Sequence, residues 1–191
     1  MNIDISVPDG KSNEWAVSTF KVTEKDLKMA NLRAMFKPGC RTIPPGTYKR
    51  LTRNGSVIMS NTPSEIRDHQ LFIHMAKQGG DILINGLGLG VALTAILQYP
   101  NVTHVTVIEQ STDVIALVAP SFNHDNRVTI INADAFEWKP PKGKRYTAVW
   151  HDIWDNICAD NLPEMAKLHR KYGRRTDWQG SWCKELCLRY R

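Results

Sequence analysis

The chain has 191 residues, 42% of them apolar, and 25 Lys and Arg against 19 Asp and Glu give a net charge of +6. That length and apolar fraction suit one globular domain over 1–191 and exclude a disordered chain. No apolar run reaches bilayer length, the first residues carry no secretory signal, and Cys40, Cys158, Cys183 and Cys187 make no disulfide framework, so the chain reads as cytoplasmic with reduced thiols and no membrane association.

Residues 1–78 read as an appendage of one helix and a β-hairpin. Trp15–Val22 alternates partly, as a half-buried strand does. Residues 24–36 carry Met29, Leu32, Met35 and Phe36 at helical spacing with Leu27 beside them, and Pro38-Gly39 ends the element. Tyr48 to Met59 reads as a hairpin around Asn54-Gly55, placed to lie over the mouth of whatever site follows.

Residues 79–155 carry the chemistry. Asp81 to Asn85 is a short apolar strand; Gly86, Gly88 and Gly90 follow in a G-x-G-x-G turn, and a helix starts near Val91. A strand, turn and helix of this kind bring backbone close to a nucleotide-like ligand. Val91 stands where the dinucleotide pattern places its third glycine. A second strand, Val105–Ile108, ends at Glu109, about 20 residues past the glycines, where an α/β nucleotide site places the carboxylate that meets the ribose. A helical stretch from Asp113 stops at Pro120. A third strand, Arg127–Ile131, ends at Asn132-Ala133-Asp134-Ala135, and a fourth, Tyr146–Trp150, ends at His151-Asp152. Strands alternating with helices predict a Rossmann-like α/β fold: a parallel sheet with helices on both faces and the ligand at the carboxyl ends of the strands.

Residues 156–191 read as two C-terminal helices with no strand between them, which leaves the sheet abbreviated and gives a second copy an open edge for dimerisation. The first helix starts at Asn161 as cap, with Pro163 and Glu164 behind it, and stops near Gly173; the second covers about Trp182 to Leu188. Cys183 and Cys187 at i, i+4 with His151 or His169 form a metal-type spacing, but buried thiols are the commoner use of such residues, and no metal site is assigned.

The order of the motifs resembles class I S-adenosylmethionine-dependent methyltransferases, and within them spermidine synthases. The hairpin with Asn54-Gly55, then Glu65, then the glycine turn is similar to theirs, as are Glu109 with Val114-Ile115, Asp125-Asn126-Arg127-Val128 with Asp134-Ala135, and Asp152-Ile153-Trp154-Asp155. The resemblance spans roughly residues 45–155. It implies S-adenosylmethionine, or its decarboxylated form, bound by Asn85, Gly86, Gly88, Gly90, Glu109, Gln110, Asp134 and Ala135. Glu109 would take the ribose hydroxyls and Asp134 the adenine amino group. Asp152, with His151 beside it, would serve the reacting centre, and Asp155, one helical turn on, would hold a cationic amine. Trp154, between the two acids, offers a cation–π wall. Leu89 stands where aminopropyl-transferring relatives carry Asp, Ile84 where many methyltransferases carry an acid, Ser111 where an Asp often sits, and no Pro-x-Gly-Pro stretch follows Asp155.

These residues point first to a small methyltransferase with an unassigned acceptor; the alternatives are a spermidine synthase-like aminopropyltransferase using Asp152 and Asp155, and a non-catalytic nucleotide-fold module that binds nucleic acid or protein. The third rests on two basic segments, 28–53 (Lys28, Arg33, Lys37, Arg41, Lys49, Arg50, Arg53) and 169–175, the latter followed by Trp178 and Trp182. Charged helix faces with a core-anchoring Trp pair are the plainer reading of the same residues.

Overall fold

The computed structural model describes residues 3–36 and 42–190, the side chains of 33–36 excepted. Lys37, Pro38, Gly39, Cys40 and Arg41 lie outside the described residues.

The N-terminal part folds as a four-stranded antiparallel sheet in chain order: β1 (Gly10–Ser12), β2 (Trp15–Val22), β3 (Gly46–Arg53) and β4 (Ser56–Ser60). The β3–β4 turn is made by Asn54 at φ +49° and Gly55 at φ +81°, the two positive φ values that a mirror-type hairpin turn needs. Helix α1 (Glu24–Phe36) joins β2 to β3 and begins with a reciprocal cap, Thr23 N–H to Asp26 Oδ2 and Asp26 N–H to Thr23 Oγ1. Of its periodic apolar residues, Met29 and Leu32 are exposed. Lys49 pairs with Asp9 and Arg53 with Glu14, so much of the described charge in 28–53 is spent within the sheet.

Two short helices, α2 (Pro63–Asp68) and α3 (Gln70–Ala76), lead into the second sheet. Its strands are β5 (Gly80–Asn85), β6 (Val102–Glu109), β7 (Val128–Asn132), β8 (Tyr146–His151) and β9 (Thr176–Ser181), in the order β7-β6-β5-β8-β9. Every pairing in it is parallel. Helices α4 (Val91–Leu97), α5 (Thr112–Val118), α6 (Asn161–Tyr172) and α7 (Lys184–Arg189) complete the chain. Central strands alternate between two cores, as parallel strands covered on both sides must. Ile82, Ile84, Ala148 and Trp150 join the larger core with α3, α4 and α5, while Leu83 and Val149 join the smaller one with Leu168 and Tyr172 of α6. Arg127 ties the end of α4 to the start of β7, donating to Asp125 and to the carbonyls of Leu97, Tyr99 and Val102.

Strand β9 corrects the expectation of two helices with nothing between them. Trp178 is its one apolar side chain, so no alternation marks it as a strand. Trp178 lies parallel to Trp150, ring centroids 6.3 Å apart, and continues a stack through Phe72. A Cβ on Gly180 would come within 2.6 Å of the Trp178 ring and 3.0 Å of Trp150, so the glycine makes room for the stack. One aromatic ring supplies the apolar cover that several aliphatic residues supply elsewhere. The start of α6 is also corrected. Asp160 precedes it, and Asn161 is its first residue, buried, with Nδ2 donating to Asn156 O instead of capping. Cys183, expected on a helix face with Cys187, is the left-handed residue before α7 at φ +49°.

Candidate active site

The sheet order reverses between β5 and β8, whose carboxyl ends open a crevice at the switch point. A cleft of about 850 Å³ lies there. Its walls come from the glycine turn, the ends of β6, β7 and β8, the start of α6 and, across the mouth, Trp15, Leu51, Arg53, Ile58 and Met59 of the N-terminal sheet. The hairpin therefore covers the site it precedes.

Gly86 must be glycine: at φ +98° its Cβ would stand 1.9 Å from the Asp152 carbonyl oxygen, so the turn after β5 and the loop after β8 touch through backbone. Glu109 is held from two sides. Its Oε2 accepts from Leu87 N–H and its Oε1 from Ser111 N–H, each at 2.8 Å. Each oxygen keeps a second acceptor site, and the carboxylate is fixed before any ligand arrives. Ser111 also caps α5, accepting from Val114 N–H. Asp134 is oriented by Phe136 N–H on its Oδ1 at 2.6 Å.

Asp152 sits at the centre. Burial first, then the negative charges of Glu65, Asp68 and Glu109, push its carboxyl up to about 8. Beside it lies His69, whose Nδ1 is 3.9 Å from Asp152 Oδ2. His69 is fully buried, neither ring nitrogen has a hydrogen-bond partner among the described residues, and burial lowers it to about 4. At neutral pH the carboxyl therefore keeps its proton and the imidazole beside it is uncharged. Asp155 is exposed on the loop after β8, not one turn along a helix. Trp154 lines the cleft with its indole N–H on Glu164 Oε2 at 2.8 Å.

The cleft thus gathers Gly86, Gly88, Glu109, Gln110, Asp134, Ala135, Asp152 and Asp155. Asn85, Gly90 and His151 are not among its lining residues. Asn85 and His151 are wholly buried and bonded to each other, Nδ2 to Nδ1 at 2.8 Å, with His151 Nε2 facing Gln179 Oε1 at 3.3 Å. Burial lowers His151 to about 3, so it is a neutral strut under the site. Gly90 packs its left-handed backbone against Phe122. Leu89 is buried and lends the cleft no charge, while its N–H points to the thioether of Met59, Sδ at 3.2 Å. Sequence reasoning missed His69 and Met59. A lone histidine and a hairpin methionine carry no local signal, and only the approach of α2–α3 and β4 to the glycine turn brings them in.

Electrostatically the cleft opposes the rest of the molecule. Glu14, Glu65, Glu109, Asp113, Asp134, Asp152, Asp155 and Glu164 line it, against one cation, Arg53, which is paired with Glu14. A basic protein has built an acidic site.

No protein-family model matches the chain. It is 33% identical over 135 residues to polyamine aminopropyltransferase 1 of Streptomyces coelicolor, an alignment covering 64% of this chain and 24% of that protein. It is 34% identical over 103 residues to polyamine aminopropyltransferase 2 of Ralstonia nicotianae, covering 47% and 20%. The chain therefore spans about a quarter or less of the length of these curated relatives. Among solved structures, spermidine synthase from Thermotoga maritima superposes with a TM-score of 0.53 at 15% identity, covering 89% of this chain and 52% of that one. The fold is that of spermidine synthase: a parallel Rossmann-like sheet with helices on both faces, preceded by an antiparallel sheet.

Proposed function

We propose that the chain is a transferase that moves a carbon group from an adenosyl sulfonium to a cationic amine, and that this group is aminopropyl, from decarboxylated S-adenosylmethionine. The observation that carries the reading is the acidic cleft in a chain of net charge +6. A sulfonium and a protonated amine are both stabilised there by Coulomb attraction, which is strengthened where water is excluded. An α-carboxylate on the donor would meet the same acids with Arg53 already engaged by Glu14. The similarity to polyamine aminopropyltransferases supports the same choice.

The residues present fit such a donor. Glu109, fixed by two backbone amides, accepts from the ribose hydroxyls, and Asp134 with Ala135 takes the adenine edge. Met59 and Gly88 present an apolar, uncharged surface to the donor's tail. Asp152, in its ionised form, takes the proton from the incoming ammonium, with the neutral His69 ring beside it at 3.9 Å. The freed amine nitrogen then bonds to the carbon beside the sulfonium as the C–S bond breaks, and its electron pair returns to sulfur as a neutral thioether. Such an in-line displacement needs no covalent enzyme intermediate, so the protein's contribution is positioning and proton removal.

Methyl transfer from intact S-adenosylmethionine is the second reading. It is favoured by Leu89, which leaves the glycine turn without the acid that aminopropyl donors meet there in the family the chain resembles. One experiment separates the two: incubation with each donor and a panel of diamines, with nucleoside products resolved by chromatography. Methylthioadenosine from the decarboxylated donor supports aminopropyl transfer, and S-adenosylhomocysteine from the intact donor supports methyl transfer. Neither product, together with no calorimetric binding of methylthioadenosine, overturns both.

A further inference from the structure

The C-terminal basic run is joined in the fold by a second one that lies far from it in sequence. The loop 138–145 between β7 and β8 carries Lys139, Lys142, Lys144 and Arg145, and 165–176 carries Lys167, Arg170, Lys171, Arg174 and Arg175, with no acid in either segment. Backbone contacts hold them together: Arg145 Nη1 donates to Arg174 O at 2.9 Å, Arg175 Nη1 to Pro141 O at 3.4 Å, and Tyr146 N–H to Arg175 O at 2.8 Å. Asp81 pairs with Lys144 and Asp177 with Arg145, while the Lys171 ammonium, near Glu137 and Asp134, is taken up by the carbonyls of Ala135 and Phe136. Six cations remain outside any ion pair among the described residues, and six is the net charge of the whole chain. The rest of the molecule is neutral in sum, so the surplus charge belongs to this face.

Its turn residues lie away from the cleft, while Lys167 on α6 sits over the ring of Phe136 at the cleft wall, 4.8 Å from the centroid. Arg145, Arg174 and Arg175 precede β8 and β9, at the amino ends of the strands, whereas the cleft opens at their carboxyl ends. We propose that this face binds the phosphate backbone of nucleic acid without regard to base sequence. Of the six cations, all but Arg175 are exposed. The exposed large apolar side chains, Met29, Leu32, Val57, Leu71, Leu188 and Tyr190, all lie outside the two segments. The aromatics in and beside the two segments are engaged in packing: Tyr172 is fully buried, Trp138 packs against the smaller core, and Trp178 is stacked on Trp150. Charge without stacking or insertion is the pattern of backbone binding.

The test is fluorescence anisotropy of the full chain with a labelled random-sequence duplex across a salt series, using two double variants of equal charge change. Lys142→Glu with Arg174→Glu acts on the face; Lys11→Glu with Lys25→Glu acts on exposed lysines of the N-terminal part. The expected result is salt-dependent binding by the wild type, with the first pair weakening it at least about tenfold and flattening the plot of log K against log salt by about 2, and the second pair leaving the slope in place. Circular dichroism checks that each variant is folded. Equal loss from both pairs would mean that net charge alone is sensed, and overturns the proposal. So does absence of salt-dependent duplex binding, or capture by phosphatidylserine vesicles with none by the duplex.

Discussion

Replacing Asp152 by Asn should make the protein more stable and less active, and the stability gain should grow with pH. In the folded state the Asp152 carboxyl titrates at about 8, against 3.8 for an ordinary aspartate. Between those values the folded chain holds a proton that the unfolded chain has released, so wild-type stability falls as pH rises through the interval. The slope for one proton is about 1.4 kcal/mol per pH unit, and the whole interval amounts to something on the order of 6 kcal/mol. Asn has the shape of the protonated carboxyl and no proton to lose, so the variant escapes this decline. His69, lowered to about 4 by burial, works in the opposite direction: its stability contribution is present above about 6.5 and is lost as pH falls toward 4. It is present in both proteins and drops out of the difference. Urea midpoints of wild type and variant at pH 5, 6, 7, 8 and 9 (roughly spanning the titration) should therefore diverge steadily up to about pH 8 and then run parallel. Removal of the base should also cost about 10²- to 10⁴-fold in kcat/KM, and the wild-type value should climb with pH toward about 8 as the free carboxyl ionises. A stability difference independent of pH would refute the buried, proton-holding Asp152. Full activity in the variant would refute its role as the base.

Further predictions follow from single contacts. Gly86→Ala forces a methyl to 1.9 Å from the Asp152 carbonyl at φ +98° and should cost upward of about 3 kcal/mol, whereas Gly55→Ala, at φ +81° with nothing within 4 Å, should cost only about 1 kcal/mol; thermal midpoints of the two decide whether crowding or backbone angle governs. Arg127→Ala removes donors to Asp125 and three carbonyls and should lose about 2–3 kcal/mol, while calorimetric donor binding by the folded fraction stays unchanged. Glu109→Ala should weaken calorimetric binding of methylthioadenosine at least about tenfold, since the two amides that held the carboxylate then have nothing to aim. Undiminished binding would remove Glu109 from the ribose site.

What the sequence determined by itself is what repeats locally. Asn54-Gly55 specifies a hairpin because few other dipeptides accept two positive φ values. The apolar runs before Gly86 and Glu109, and before His151-Asp152, specify parallel strands because both faces of each are covered. The acids at their ends are legible for the same reason: a strand's end places its next residue at the mouth of the crevice. Where apolar pattern fails, so does the reading. Strand β9 has one Trp and a Gly in place of alternation, and the signal for it lies in the Trp150 and Phe72 rings it stacks on.

Only the tertiary structure decided which polar residues work together. His151 ends β8 immediately before Asp152, yet the strand's alternation turns it to Asn85, while His69, 83 positions before Asp152, lies 3.9 Å from its carboxylate. The acidity of the cleft is likewise invisible along the chain, because its eight acids are drawn from the end of β6, from helices α2, α5 and α6, and from the turns and loops around them. The basic face arises in the same way, from two segments that meet at the starts of β8 and β9. Charge summed over a sequence is one number. Folding gathers acids from distant elements into the crevice at the carboxyl ends of the strands, and brings two basic segments together at the starts of β8 and β9.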